Sequence, residues 1–201
     1  MLNDLESILF NIDINSGAPI QGALLVAEPF LREEFFNHAV VVLVEYDAKG
    51  SAMGIVLNRQ LDINVQSLVA EIVNEEPIPV YCGGPLSPDR LYYIHTIGHI
   101  IPNSQEIFPG LYVGGDFDQI IKYVNSHEQI GQQIRFFLGY SGWDKGQLAD
   151  ELRHHVWAVT QVRDSEILLD GADNAYWHKI VRLMGEDYRG WLYHPISPSD
   201  N

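Results

Sequence analysis

Gly139-Tyr-Ser-Gly-Trp143-Asp-Lys-Gly-Gln-Leu-Ala-Asp-Glu-Leu152 is the stretch whose reading decides the fold. A hydrophobic run from Gln133 to Gly139 enters it and reads as a buried strand. Its glycines read as a loosened turn. The apolar spacing that follows predicts a helix from Asp144 to about His154, with Asp144 as N-cap. A turn of this kind presents backbone N–H groups at a helix N-terminus. Gly139-Tyr-Ser-Gly-Trp143 also resembles a G-x-S-x-G nucleophile elbow, but it fails the pattern. Gly142 follows the serine directly, and Trp143 stands where a small residue must let the strained turn close. Ser141 is therefore not read as a nucleophile.

Working outward, Gly22–Ala27, Ala39–Tyr46 and Ala52–Leu57 are short, β-branched runs. The last two form a hairpin across the turn at Asp47–Gly50. Asn64–Asn74 carries Val65, Leu68, Val69 and Ile72 at helical spacing, with Asn64 as the expected cap. Pro77–Cys82 and Leu91–His95 read as strands flanking Gly83-Gly84-Pro85. Ile97–Pro109 shows no period. Gly110–Gly115 holds a short strand, and Asp116 caps a helix to about His127. Val156–Gln161 is a strand, while Glu166–Leu169 and Ala175–Met184 are helical. An amphipathic helix is expected over Met1–Asn15 and disorder over Ser197–Asn201. Strands joined by short turns, with few helices between them, predict an α+β fold with a mixed, largely antiparallel sheet. The expected organisation is one domain over 1–201: an N-terminal helical extension (1–20), a core (21–190) and a tail (191–201).

The chain has 201 residues, 46% hydrophobic and 19% charged, enough for a self-sufficient core. One cysteine, Cys82, excludes an internal disulfide framework and suits a reducing compartment. No segment reads as a secretory signal or a membrane span, so a cytoplasmic location without membrane contact is expected. The formal net charge of −15 repels phosphate backbones, and the 12 Lys and Arg residues form no run. That argues against direct nucleic-acid binding.

The motif scan finds neither a Walker A sequence nor a strand-linked G-x-G-x-x-G. His95 and His99 have zinc-pair spacing only on a helix, which Gly98 and the β-rich run before it oppose. His154 and His155 would diverge on one, so no metal is expected. Cys82, beside two glycines, is a candidate reactive thiol and also a small buried side chain. Gly83-Gly84-Pro85 could form an N–H nest for an anion or a tight structural turn. Gly114-Gly115-Asp116 is a second strand end of that kind. Lys145, in the expected first turn of its helix, opposes the helix dipole. Trp143 reads as core.

Together these motifs resemble the YqgE/AlgH family. The resembling segments are Gly22–Ala27 with Pro29, Val40–Glu45 and Met53-Gly-Ile-Val-Leu-Asn58-Arg59. The family's central signature is matched by Gly83-Gly-Pro-Leu-x-x-Asp89-Arg90 followed by His95. Its second signature is matched by Gly139-Tyr-x-x-Trp143-x-x-Gly146-Gln147-Leu148 with Glu151 and Trp157. The resemblance covers roughly Gly22 to Met184. It implies a bacterial, cytosolic α+β protein whose bent mixed sheet forms a pseudo-barrel flanked by helices. One branch of the family carries a transcriptional-regulator label for alginate synthesis. Cys82 lies beside the central signature, not within it, and the N-terminal segment is longer than the family's.

The expected function is a non-enzymatic binding or regulatory module for a small anion or a protein partner, without cofactor. Its candidate surface is Asn58, Arg59, Gly83, Gly84, Pro85, Arg90, His95, Trp143, Lys145 and Gln147. Arg59, Arg90 and Lys145 supply cations on an acidic protein. The alternatives are an enzyme using His95 as acid or base or Cys82 as nucleophile, and a DNA-binding regulator.

Overall fold

The computed structural model describes residues 17–33, 35–47 and 50–193. The expected helix over Met1–Asn15 and the expected disorder over Ser197–Asn201 lie outside these residues. Among the described residues ten strands form one open, largely antiparallel sheet, curled into a pseudo-barrel and flanked by helices. In chain order they are β1 (Leu24–Ala27), β2 (Val40–Tyr46), β3 (Ala52–Val56), β4 (Gln60–Asn64), β5 (Pro79–Cys82), β6 (Leu86–His95), β7 (Gln105–Phe108), β8 (Leu111–Val113), β9 (Ile134–Trp143) and β10 (Trp157–Thr160). The helices are α1 (Phe117–Ser126), α2 (Gln147–Arg153), α3 (Ser165–Leu168) and α4 (Asp173–Leu183). Short 3₁₀ turns follow at Val65–Ser67 and Glu186–Tyr193.

The apolar runs of β1 and β2 are continuous because both faces of this part of the sheet are covered. Leu24, Val26, Val40, Val42 and Val44 face the interior of the curl with Ile107, Phe108, Tyr176 and Trp177. Leu25, Ala27, Val41 and Leu43 face the other way, onto Trp143, Trp157 and the α2 residues Leu148 and Leu152. A third cluster lies under α1, where Ile120 and Val124 pack on Val80, Tyr93, Ile134 and Phe136. Period-2 alternation thus sorts one strand's residues into two cores.

β9 organises the whole. Its first half lies between β5, to which it runs parallel (Val80↔Phe136), and β6, to which it is antiparallel (Tyr92↔Phe137). Its second half pairs with β3 (Gly54↔Ser141). The change of partner falls at Gly139, whose φ of 72° is a left-handed conformation natural to glycine.

Three local readings are corrected. The opening stretch is strand as far as Trp143, with period-2 burial at Ser141 and Trp143. The helix therefore starts at Gln147, and its N-cap is Gly146 (φ 84°), not Asp144. The Asp144 N–H is instead satisfied by Gln147 Oε1 at 3.1 Å. The helix expected over Asn64–Asn74 is a strand end and a single 3₁₀ turn, and Asn64 makes no capping bond. Polar side chains win there. Gln66 bonds the carbonyls of Asn74 and Glu76, and Asn74 Nδ2 donates to Val124 O and His127 O. The periodicity still marked burial, since Val65 and Ile72 are core. Finally, β7 lies in the stretch that showed no period, and β4, largely exposed, was not foreseen. The cap at Asp116 forms as expected, with its side chain accepting from Gln119 N at 3.1 Å.

Candidate functional site

The two signatures meet through their backbones. Gly83 N donates to Leu138 O (2.8 Å), and Gly83 O accepts from Val56 N (2.9 Å) and from Ser141 Oγ (3.2 Å). A side chain on Gly83 would strike the carbonyl of Gly139, and one on Gly84 would strike Tyr140 backbone and Ser141 Oγ. The Asn58-Arg59 strand end joins the same knot, because Cys82 N donates to Arg59 O at 2.7 Å. The glycines serve close approach of main chain to main chain.

Beside this knot β6 bulges. Leu86 pairs with Tyr140 and Leu91 with Leu138, so four residues of β6 lie opposite Gly139 alone. Ser87-Pro88-Asp89-Arg90 are thrown outward and exposed, with Ser87 at φ 48°. A bulge of this kind re-aims side chains next to a site. Here it sets the Arg90 guanidinium 5.6 Å from the ring centroid of Tyr92, which stacks edge-on with Tyr140 at 5.7 Å. Arg90, Tyr92, Tyr93, Tyr140, Gly114 and Gly115 line a cleft of about 580 Å³, within the range that holds a small molecule. Glu45 also lines it. No ion pair holds Arg90 among the described residues.

The wall of the cleft at Gly114-Gly115 is pinned from behind. Tyr93 Oη donates to Gly115 O at 2.6 Å, and the buried His95 Nε2–H donates to Gly114 O at 2.9 Å. That bond fixes the tautomer and leaves Nδ1 bare, buried and without a partner among the described residues. Burial pushes the His95 pKa down from its ordinary value of 6.5, against the opposing effect of the Gly114 carbonyl. Burial, then Asp116, pushes Tyr93 up.

The remaining candidate side chains diverge from the cleft. Asn58 is buried; it accepts from Val40 N and donates to His38 O and Asp173 O, each at 2.9 Å. Arg59 is half-buried, and Pro85 is exposed at the turn. Cys82 is half-buried, its Sγ 3.9 Å from Gly84 O. Trp143 Nε1 and Trp157 Nε1 both donate to Glu151 Oε2 at 2.7 Å, while Gln147 Nε2 holds Glu151 Oε1 at 2.9 Å. One carboxylate therefore clamps β9, α2 and β10. Lys145 is exposed in the turn before α2. No group of three or more His, Cys, Asp or Glu side chains suited to a metal ion occurs among the described residues. No described helix is long and apolar enough to cross a membrane.

Sequence reasoning passed over Tyr92 and Tyr140, although Tyr140 lies inside the second signature. It also passed over Arg135, whose signal was a lone cation in the apolar run Ile134-Arg-Phe-Phe-Leu138.

Comparison with known proteins agrees with this fold. The AlgH-like family model matches residues 24–189. A UPF0301 protein of Parabacteroides distasonis is 43% identical over 192 residues, covering 94% of this chain and 96% of the relative. One of Bacteroides thetaiotaomicron is 38% identical over 198 residues, covering 98% and 100%. In fold, the chain is similar to the crystal structure of DIP2367 from Corynebacterium diphtheriae (TM-score 0.74, 21% identity, 92% and 97% covered). It is also similar to the solution structure of AlgH from Pseudomonas aeruginosa (TM-score 0.67, 23% identity, 90% and 98% covered).

Proposed function

The chain belongs to the AlgH-like family, and we propose that it is a non-enzymatic binding module whose signature cleft takes a small anionic ligand. The observation that carries this reading is Arg90. The bulge built where the two signatures touch presents a guanidinium that has no ion pair among the described residues and that lines a cleft together with three tyrosines. A planar guanidinium with free donors is suited to carboxylate or phosphate. The cleft is small-molecule sized, which favours a small anion over a protein segment. Glu45 also lines the cleft, so the ligand's negative end belongs at Arg90.

Calorimetric titration with orthophosphate, phosphoserine and succinate tests the reading. Binding of at least one is expected, weakened at least about tenfold by Arg90→Ala, since a charge-assisted hydrogen bond contributes roughly 1.5–3 kcal/mol. Because Arg90 is exposed, the variant should keep the wild-type Tm. No binding of any of the three at roughly 10 mM, or equal binding to Arg90→Ala, would sink the proposal.

A further inference from the structure

A second cleft, of about 680 Å³, lies between the approach to β5, the turn before β9 and the turn between α3 and α4. Its lining includes Arg135, a side chain only 5% exposed. Nη1 donates to Leu57 O (2.9 Å) and Nη2 to Leu169 O (2.6 Å), and the guanidinium lies 4.3 Å from the centroid of the Tyr81 ring. These use two of its five N–H groups. No ion pair to a carboxylate is formed among the described residues. Burial pulls its pKa down, offset in turn by Tyr81, Tyr176 and Asp170, yet a guanidinium stays charged at neutral pH. The cleft therefore holds a desolvated cation balanced by carbonyl dipoles, one aromatic face and the Asp170 carboxylate, with no direct ion pair among the described residues.

The same cleft is lined by Glu76, Glu128 and Asp170. Asp170 is engaged by Lys179 at 2.9 Å, whereas Glu76 and Glu128 carry no ion pair among the described residues. A simple anion meets these carboxylates before it meets Arg135, and a simple cation meets Arg135. A molecule bearing an ammonium and a carboxylate on the same carbon satisfies both.

We propose that this cleft binds a free α-amino acid, its carboxylate received by Arg135 and its ammonium group by the glutamates at the rim. The proposal is independent of the reading of the Arg90 cleft.

Thermal-shift screening of the full chain against the common α-amino acids, followed by calorimetry, tests it. At least one amino acid is expected to bind. Its N-acetyl derivative, which lacks the ammonium, and its amide, which lacks the carboxylate, should each bind at least about tenfold more weakly. Glu128→Gln and Glu76→Gln, exposed and outside the core, should weaken the amino acid but not the N-acetyl derivative. Arg90→Ala should leave it unchanged, which separates this site from the first. The proposal is overturned if no amino acid binds at roughly 10 mM, if the N-acetyl form binds equally well, or if both rim variants bind as wild type.

Discussion

His95 illustrates how one side chain can be fixed by chemistry rather than exposure. Its Nε2–H is committed to Gly114 O, its ring lies between Tyr93 and Tyr112 at 6.2 and 5.8 Å, and its Nδ1 has no acceptor. Protonation would bury a second N–H with nothing to receive it. The folded pKa is accordingly lowered from 6.5, chiefly by burial. The sign of the consequence follows. Below 6.5 the unfolded chain takes up a proton that the folded chain refuses, so the contribution to stability is complete above that value and is lost as pH falls through it. His95→Gln can keep a donor for Gly114 but cannot titrate. Urea denaturation at steps from about pH 7.5 to pH 5 should therefore show the variant losing less stability than wild type. Parallel curves would mean that His95 titrates normally. At this scale the sequence was legible wherever partners are local. Asp116 and its bond to Gln119 needed only the strand end and the apolar run after it. Asn58 was read as part of a ligand or partner surface; its side chain is buried, its partners His38 and Asp173 lie 20 and 115 residues away, and no local pattern reports them.

The strands make the same point for elements. β9 was read as far as Gly139 because its first half is apolar apart from Arg135. Its continuation was hidden by Gly139 and Gly142, residues that weaken a strand unless another backbone approaches closely. Here one does, since Gly83 and Gly84 press on Gly139, Tyr140 and Ser141. Two glycine substitutions separate close approach from conformational freedom. Gly83→Ala, outside the left-handed region, places a methyl group against the Gly139 carbonyl, which cannot yield without breaking the Gly83 N–Leu138 O bond, and should cost about 2–4 kcal/mol. Gly110→Ala, at φ 91° with nothing within 4 Å of the added carbon, meets only the left-handed penalty of roughly 1–2 kcal/mol. Chemical denaturation of both should show Gly83→Ala the more destabilised by at least about 1 kcal/mol. Equal losses would reduce the signature glycines to turn formers and remove the steric basis of the bulge that presents Arg90. The bulge itself was illegible, because its register is defined only by what β6 pairs with.

For the whole molecule, the curl is closed by side chains rather than by a continuous ladder. Gln21 Nε2 reaches Glu106 O at 3.0 Å, and Ile107 and Phe108 of β7 join the interior of β1 and β2. The α+β class followed from the count of short strands. The path of the sheet did not, because β3–β9 and β1–β10 pair segments far apart in sequence, and periodicity says nothing of which strands become neighbours. The C-terminal segment completes the interior: Trp177 is fully buried, donates Nε1–H to Ala27 O at 3.0 Å and stacks on Trp191 at 6.2 Å. If α4 is part of one cooperative core, Trp177→Ala should cost about 3–5 kcal/mol. Tryptophan fluorescence and far-UV circular dichroism should then still report one coincident urea transition with an unchanged slope, shifted to lower midpoint. A docked but separable helix behaves otherwise. The slope would fall, and fluorescence would report release of α4 before the sheet melts by circular dichroism. That outcome would make the interior two units. The single transition would make the curl, the signature knot and the C-terminal helix one structure, in which a change at Trp177 is felt at Ala27 on the opposite end of the chain.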